Sequence, residues 1–348
     1  MSRAPRRTLS IATNNADVGG GEVMLLAIAD AARELGCPPE VVAPDGSEIA
    51  REAMGAGHEV VLLPADGRPE WMRALRRWDR RHRRGVLWCN GLVPAAATAG
   101  RRGRVVHLHR IPDGGQRLLL PVARAGASMT VVPSRFMASR VRGARVLHNW
   151  SEPRAVTRTA DPALPRVGFL GRLSPDKGIL QLAAAMHAVP DAELVIAGEA
   201  RFVAAGDSAS VEAALAGLGT RARRLGWVDP AEFLGQVDVL AVPSTWPEPF
   251  GLVVTEAMAA GLPVVVSDAG ALPEVVGSAH PWVARAGDVG HLAMTLRTAL
   301  DASADERDRV VAAARRRWED QFSPQAGKHR IASVLGELGL IESEGPAR

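Results

Sequence analysis

The stretch Pro243-Ser-Thr-Trp-Pro-Glu248-Pro-Phe-Gly-Leu-Val-Val-Thr-Glu256-Ala-Met-Ala-Ala-Gly261-Leu-Pro-Val264 decides how the rest of the chain is read. An apolar strand runs into it and ends at Val242, and a loop then carries Glu248. Apolar spacing predicts a helix from about Gly251 to Ala260, and Gly261-Leu-Pro turns the chain into another strand. A helix start at Phe250-Gly251-Leu252 presents unpaired amides and the positive end of a dipole, a natural seat for a diphosphate. Gly251 lets the backbone approach such a group closely. Glu248 stands before the helix and Glu256 in its second turn, so two carboxylates can accept hydrogen bonds from sugar and ribose hydroxyls. A lone glutamate pair is more often a solvated surface, but the whole string argues against that reading.

Outward from this stretch the chain repeats strand, loop and helix. Upstream, Gly168-Phe-Leu-Gly171-Arg172-Leu-Ser-Pro-Asp-Lys177-Gly178 ends a strand and opens a helix over Ile179–Val189. Two cations at a strand end beside a helix start can neutralise charge developing on a departing diphosphate. Lys177 is one of two lysines among 42 basic residues. Ala192–Ala197, Arg224–Trp227, Val237–Val242 and Pro263–Ser267 continue the strands of this half, with a Gly/Ala/Ser-rich excursion over Ala204–Gly219. Thr8–Thr13, Glu40–Ala43, Glu59–Leu63, Gly85–Cys89, Val105–Leu108 and Met129–Val132 give an earlier series of the same kind. Ser151–Pro165, rich in Pro, Thr, Arg and Ala, connects the two series. Parallel sheets with crossover helices follow from this alternation, and such sheets bind ligands at the carboxyl ends of their strands. At 348 residues the chain suits two domains of ~150 residues.

Three features of the first series carry chemistry. Asp17-Val-Gly19-Gly20-Gly21-Glu22 lies between the first strand and a helix expected over Glu22–Leu35, and glycines there allow close backbone approach to phosphate or acceptor. Met24 breaks the G-x-G-x-x-G fingerprint, which counts against a nicotinamide dehydrogenase. In Val105-Val-His107-Leu-His109-Arg110-Ile-Pro112, a strand delivers His109 to its carboxyl end, with His107 on the same side but deeper. The run Trp71 to Arg84 places Trp71, Leu75, Trp78 and His82 on one helical stripe among arginines. That composition suits either packing by the tryptophans or contact with anionic lipid headgroups.

Composition bounds the class. A hydrophobic content of 47% with 23% charged residues is that of a globular protein. No run of about 18 apolar residues would span a bilayer. The basic start Met1 to Arg7 is not followed by the apolar core of a signal peptide. Cys37 and Cys89 make neither a disulfide framework nor a metal knuckle, so a reduced cytoplasmic setting is expected. Residues 1–150 hold 23 basic and 13 acidic side chains, and residues 151–348 hold 19 and 25. The first half is therefore the one drawn to anionic surfaces. Nothing points to nucleic acid.

The 243–264 stretch, extended through Pro263-Val-Val-Val-Ser-Asp-Ala-Gly270-Ala-Leu-Pro-Glu274, resembles the E-x7-E signature of the retaining GT-B glycosyltransferases of family four. Gly171-Arg172 to Lys177-Gly178 is similar to that family's G-R-x-x-x-x-K-G pattern, and Gly20-Gly21 falls in its glycine loop. The resemblance implies an α/β GT-B fold: two facing Rossmann-like domains with a cleft between them. Residues 1–150 would bind acceptor and 151–348 nucleotide-sugar, with a last helix near 324–338 packing back on the first domain. It implies transfer from a UDP- or GDP-sugar to an acceptor hydroxyl with retention. Arg172 and Lys177 would clamp the pyrophosphate. Glu248 and His109 would serve the transferred sugar, and Glu256 the ribose. Pro249, Phe250, Gly251, Leu252, Gly20 and Gly21 would line the donor. No cofactor or metal is expected, because the D-x-D clamp of the other main glycosyltransferase fold is missing. Expected acceptors are a glycan, a lipid-linked molecule or a natural product, with peripheral attachment at the inner face of the cell membrane if lipid is involved. A nucleotide-sugar epimerase, a sugar phosphorylase or a non-catalytic sugar-nucleotide-binding protein remain open. Gly198-Glu-Ala200 departs from the G-x-G of many relatives.

Overall fold

A computed structural model describes residues 8–64, 66–153, 156–157, 164–200 and 204–342. The basic start Met1 to Arg7 and much of the 151–165 connection lie outside them. Two compact units emerge, Met1–Asn149 with Pro324–Arg348, and Trp150–Ser323.

The first unit is built on strands β1 (Leu9–Ala12), β2 (Glu40–Pro44), β3 (Glu59–Leu63), β4 (Val86–Asn90), β5 (Arg104–His107), β6 (Met129–Val132) and β7 (Arg145–Val146). They pair in parallel in the order β3-β2-β1-β4-β5-β6-β7. The order reverses between β1 and β4, so the crossover loops diverge there and leave a crevice at the strand ends. Strands such as Val86–Asn90, buried at every position, are what a sheet covered on both faces requires. The helices are α1 (Gly20–Glu34), α2 (Glu48–Gly55), α3 (Arg68–Arg81), α4 (Leu92–Ala97), α5 (Gln116–Arg124) and α6 (Arg135–Ala138). A helix near the C-terminus, Pro324–Glu337, belongs to this unit. Lys328 Nζ lies 2.8 Å from Glu34 Oε2 on α1, and Arg145 Nη1 lies 2.5 Å from Glu337 Oε1.

Helix α3 corrects one expectation. Trp71, Leu75 and Trp78 are buried, but His82, expected on the same stripe, is exposed and caps the helix. Asp79 takes the remaining inner position, fully buried between Arg83 (2.8 Å) and Arg101 (2.9 Å). Tryptophan packing plus a buried ion pair therefore orients the helix, and Arg73, Arg77, Arg80 and Arg81 are left facing water.

The second unit repeats the plan. Strands β8 (Arg166–Leu170), β9 (Glu193–Ala197), β10 (Ala222–Gly226), β11 (Val239–Val242), β12 (Val264–Ser267) and β13 (Val283–Ala284) pair in parallel as β10-β9-β8-β11-β12-β13, reversing between β8 and β11. Its helices are α7 (Ile179–His187), α8 (Ala205–Ala216), α9 (Pro230–Leu234), α10 (Leu252–Ala259), α11 (Leu272–Val276), α12 (Val289–Asp301) and α13 (Ala304–Gln321). The excursion after β9 is not a loop. Alanine-rich composition favours helix, and Val211 and Leu215, four residues apart, seat α8 on the core. Trp318 Nε1 donates to Ser151 Oγ at 3.0 Å, tying the beginning of this unit to its end.

Candidate functional site

In each unit the residues singled out in the sequence gather at the strand ends where the order reverses. In the second unit β8 runs into Gly171-Arg172 and β11 into Pro243-Ser244. Gly178 holds φ +76°, and a Cβ there would fall 1.9 Å from the Pro243 carbonyl oxygen. Only glycine allows this contact, which brings the β8 loop against the β11 end. As a result Lys177 Nζ donates to Glu248 Oε1 at 2.5 Å across 71 positions of sequence. Ser244 Oγ donates to the same oxygen at 2.8 Å, and Ser267 Oγ holds the Ser244 carbonyl at 2.6 Å. Glu248 is buried. Its backbone is pinned by Gly270, whose Cβ would lie 2.3 Å from Glu248 N, while Ala271 N donates to the Glu248 carbonyl at 2.8 Å.

Arg172 stands on the same loop, more exposed. Its Nη2 lies 2.8 Å from Asp176 Oδ2 and its Nε donates to Ser174 Oγ at 3.1 Å. Burial raises the Asp176 carboxyl, but the Ser174 hydrogen bond and the charges of Arg172 and Lys177 outweigh it and hold it below its usual range. Both cations thus already face carboxylates, and an anionic ligand would have to compete for them. For the half-exposed Arg172 pair that competition costs little, since such pairs contribute up to about 1 kcal/mol.

Beside this cluster, Gly251 caps α10 with φ +98°, a conformation that favours glycine. A Cβ there would meet Leu272 at 2.6 Å. The amides of Leu252 and the residues after it begin the helix without a side-chain cap. Phe250 is buried edge-to-face on Phe322 at 5.5 Å, and Glu256 is half-buried in the second turn. Among the residues of this site not anticipated, Ser244 lay inside the quoted stretch, but only folding shows which carboxylate it meets.

In the first unit, helix α1 starts at Gly20, so Gly20 and Gly21 form its first turn rather than a free loop. Helical backbone leaves their amides unpaired, and the small residues make room. A Cβ on Gly21 would press the His109 ring at 3.2 Å. Glu22 is buried in the same turn. Burial raises its carboxyl despite hydrogen bonds from Asn15 (2.7 Å) and Thr13 (3.1 Å). Asn90, the last residue of β4, was not anticipated, although its place at a strand end was legible. Its Nδ2 donates to the Gly21 carbonyl at 3.1 Å, and its Oδ1 lies 2.6 Å from His109 Nε2. His107 lies fully buried beneath His109, the ring centroids 3.9 Å apart. Burial lowers the His109 pKa to about 4 and holds His107 well below its usual range.

Solved structures with this architecture have the GT-B fold. Anabaena HepE, solved with UDP and glucose, superposes with TM-score 0.82 at 22% identity over 95% of this chain and 99% of its own. Sucrose-phosphate synthase from Thermosynechococcus elongatus gives 0.80 at 19% identity, covering 96% and 99%. At such identities the likeness shows the fold. In sequence, residues 18–150 match the model described as Glycosyltransferase Family 4, and residues 164–302 that described as Glycosyl transferases group 1. The chain belongs to this family of glycosyltransferases. A phosphatidyl-myo-inositol mannosyltransferase of Propionibacterium freudenreichii is 34% identical over 163 residues, 44% of this chain and 39% of the relative. A glycogen synthase of Mycobacterium tuberculosis is 35% identical over 197 residues, 52% and 45% respectively. These alignments span less than half the length of either relative.

Proposed function

We propose that the chain transfers a sugar from a UDP- or GDP-linked donor to an acceptor hydroxyl, with retention and without a metal ion. The observation that carries this is the Lys177–Glu248–Ser244 cluster beside the amide end of α10. In the reaction the bond between the anomeric carbon and the phosphate oxygen breaks. Its electron pair leaves with the diphosphate, and the acceptor oxygen bonds to that carbon as its proton passes to the departing diphosphate oxygen. Arg172, Lys177 and the amides near Gly251 stabilise the departing charge. Glu248 and His109 orient the sugar, and Glu256 holds the ribose. The second unit takes the donor and the first the acceptor. The UDP and glucose held by HepE, and the mannosyl transfer and glycogen synthesis named in the two relatives, support this reading.

A lipid-linked acceptor at an anionic membrane surface is the acceptor reading we favour over a free glycan or natural product. One relative is by name a phosphatidyl-myo-inositol mannosyltransferase, and the first unit exposes arginines on α3 and Leu118, Leu119 and Val122 on α5. A cytoplasmic enzyme resting on the inner face of the membrane follows. Among the described residues no helix is long and apolar enough to cross one.

A donor panel in excess EDTA tests the proposal. One UDP- or GDP-sugar should raise the melting temperature, by about 2.7 kcal/mol of linkage at a hundredfold excess over Kd, and should be consumed only with acceptor. Stabilisation by no donor overturns the reading. Consumption without acceptor replaces it with an epimerase or a hydrolase, and activity restored by Mg²⁺ overturns the cationic clamp.

A further inference from the structure

We infer that Asn90 is a positioning residue that holds His109 in its neutral, Nε2-protonated form and ties it to the first turn of α1. The inference rests on the reading that His109 serves the transferred sugar, and adds how the protein prepares that ring.

The argument is one of donors and acceptors. The Gly21 carbonyl can only accept, so the Asn90 group 3.1 Å from it is the NH2. That turns Asn90 Oδ1, which can only accept, toward His109 Nε2 at 2.6 Å. His109 must therefore carry its proton on Nε2 and leave Nδ1 as a bare lone pair. The same logic fixes the ring beneath. Trp88 Nε1, always a donor, lies 3.3 Å from His107 Nδ1, so the His107 proton sits on Nε2. His109 Nδ1 and His107 Nε2 are covered and find no hydrogen-bond partner among the described residues. A second proton on His109 would sit on Nδ1, buried and without an acceptor, against an imidazole 3.9 Å away.

Backbone geometry leaves Asn90 little alternative. It closes β4 opposite His107 on β5, and Gly91 N donates to the His107 carbonyl at 2.7 Å. Asn90 is 3% exposed. Its amide is therefore held between two elements, α1 and the end of β5, that each contribute to the proposed site. Asparagine is the residue type for this position because it alone offers a donor to one side and an acceptor to the other at this reach. Aspartate cannot donate to the Gly21 carbonyl, and leucine of similar size can do neither. His109 then works in transfer as a neutral, oriented ring and not as a proton carrier.

Nitrogen NMR of the imidazoles in the substrate-free protein tests the tautomer without any assumption about the reaction. The wild type should show His109 as a single neutral Nε2–H species at pH 7. Asn90→Asp, nearly isosteric, should bring imidazolium signals into the neutral range, and Asn90→Ala should give mixed tautomers. Turnover in both should fall about tenfold, as loss of one buried hydrogen bond predicts, with nucleoside-diphosphate Kd within about twofold. Adding Asn90→Ala to His109→Ala should cost no further turnover if Asn90 acts through the ring. An Nδ1–H ring in the wild type, or a spectrum unchanged in both variants, overturns the tautomer assignment. An equal fall of turnover with and without His109 overturns the positioning role. Failure of the transferase reading itself would appear as the expected NMR shifts in the variants with no turnover to lose in the wild type.

Discussion

The two switch points of this molecule share a topology and differ in chemistry. Where β8 and β11 part, the side chains are charged and paired: Lys177 with Glu248, Arg172 with Asp176. Where β1 and β4 part, the buried Glu22 carboxyl accepts from the neutral Asn15 and Thr13, and the other side chains that meet are neutral: Asn90, His109, and His107 and Trp88 beneath them. A partly exposed loop can keep cations at modest cost and release them to an anionic ligand. A covered strand end cannot hold an unpaired charge, so burial keeps its imidazoles neutral and its hydrogen bonds directional. The roles proposed for them differ accordingly, answering charge in one crevice and orienting in the other.

The largest expected effect falls on the charged side. Arg172→Ala or Lys177→Ala should lower kcat/KM by about 10²-fold or more, ~2.7 kcal/mol of transition-state stabilisation. The corresponding loss on the neutral side is about tenfold. If steady-state rates put Asn90→Ala above Lys177→Ala, the division of labour is the wrong way round.

Acid should distinguish the two sides next. His109 sits at about 4 in the folded chain against 6.5 unperturbed. The unfolded chain therefore binds more protons between those values, so stability is full above about 6.5 and drains as pH falls towards 4. A shift of this size corresponds to roughly 3 kcal/mol over the whole range, with His107 acting in the same direction. Urea titrations at pH 7 and pH 5 should show His109→Gln losing clearly less stability than the wild type. Parallel losses would mean that the acid sensitivity resides elsewhere.

Within the charged side the two carboxylates should separate. Glu256→Ala should chiefly weaken binding of free nucleoside diphosphate, by about tenfold, because its proposed partner is the ribose. Glu248→Ala should leave that affinity nearly intact and depress turnover. Calorimetry beside steady-state rates reads both, and the opposite assignment would exchange their roles.

The smallest effect concerns the outer surface of the first unit. Each exposed arginine near an anionic bilayer contributes about 1 kcal/mol, screened by salt. Co-sedimentation with phosphatidylglycerol vesicles should fall when Arg73, Arg77, Arg80 and Arg81 become Glu, and fall again when Leu118 and Leu119 become Ser. Binding indifferent to lipid charge would favour a soluble acceptor.

Sequence alone determined the alternating α/β plan, because fully buried parallel strands must be short apolar runs and their crossovers must be helical. It also singled out Glu248, Glu256, Arg172 and Lys177 as candidate site residues, since their spacing around a strand end and a helix start is a local property. It did not show that the stretch after β9 is helical, because α8 is seated on the core by only two buried residues and its composition reads equally as loop. It did not determine whether the α3 arginines or its tryptophans set that helix's orientation, which Asp79 and its two partners decided. Contacts across long separations were beyond it altogether: Lys177 with Glu248 over 71 residues, and Asn90 with Gly21 over 69. Such pairs exist only once two strand ends are brought side by side, and glycines such as Gly178 permit the approach without naming who will meet. Local periodicity is written into the chain, whereas proximity between distant residues is a consequence of packing the whole sheet.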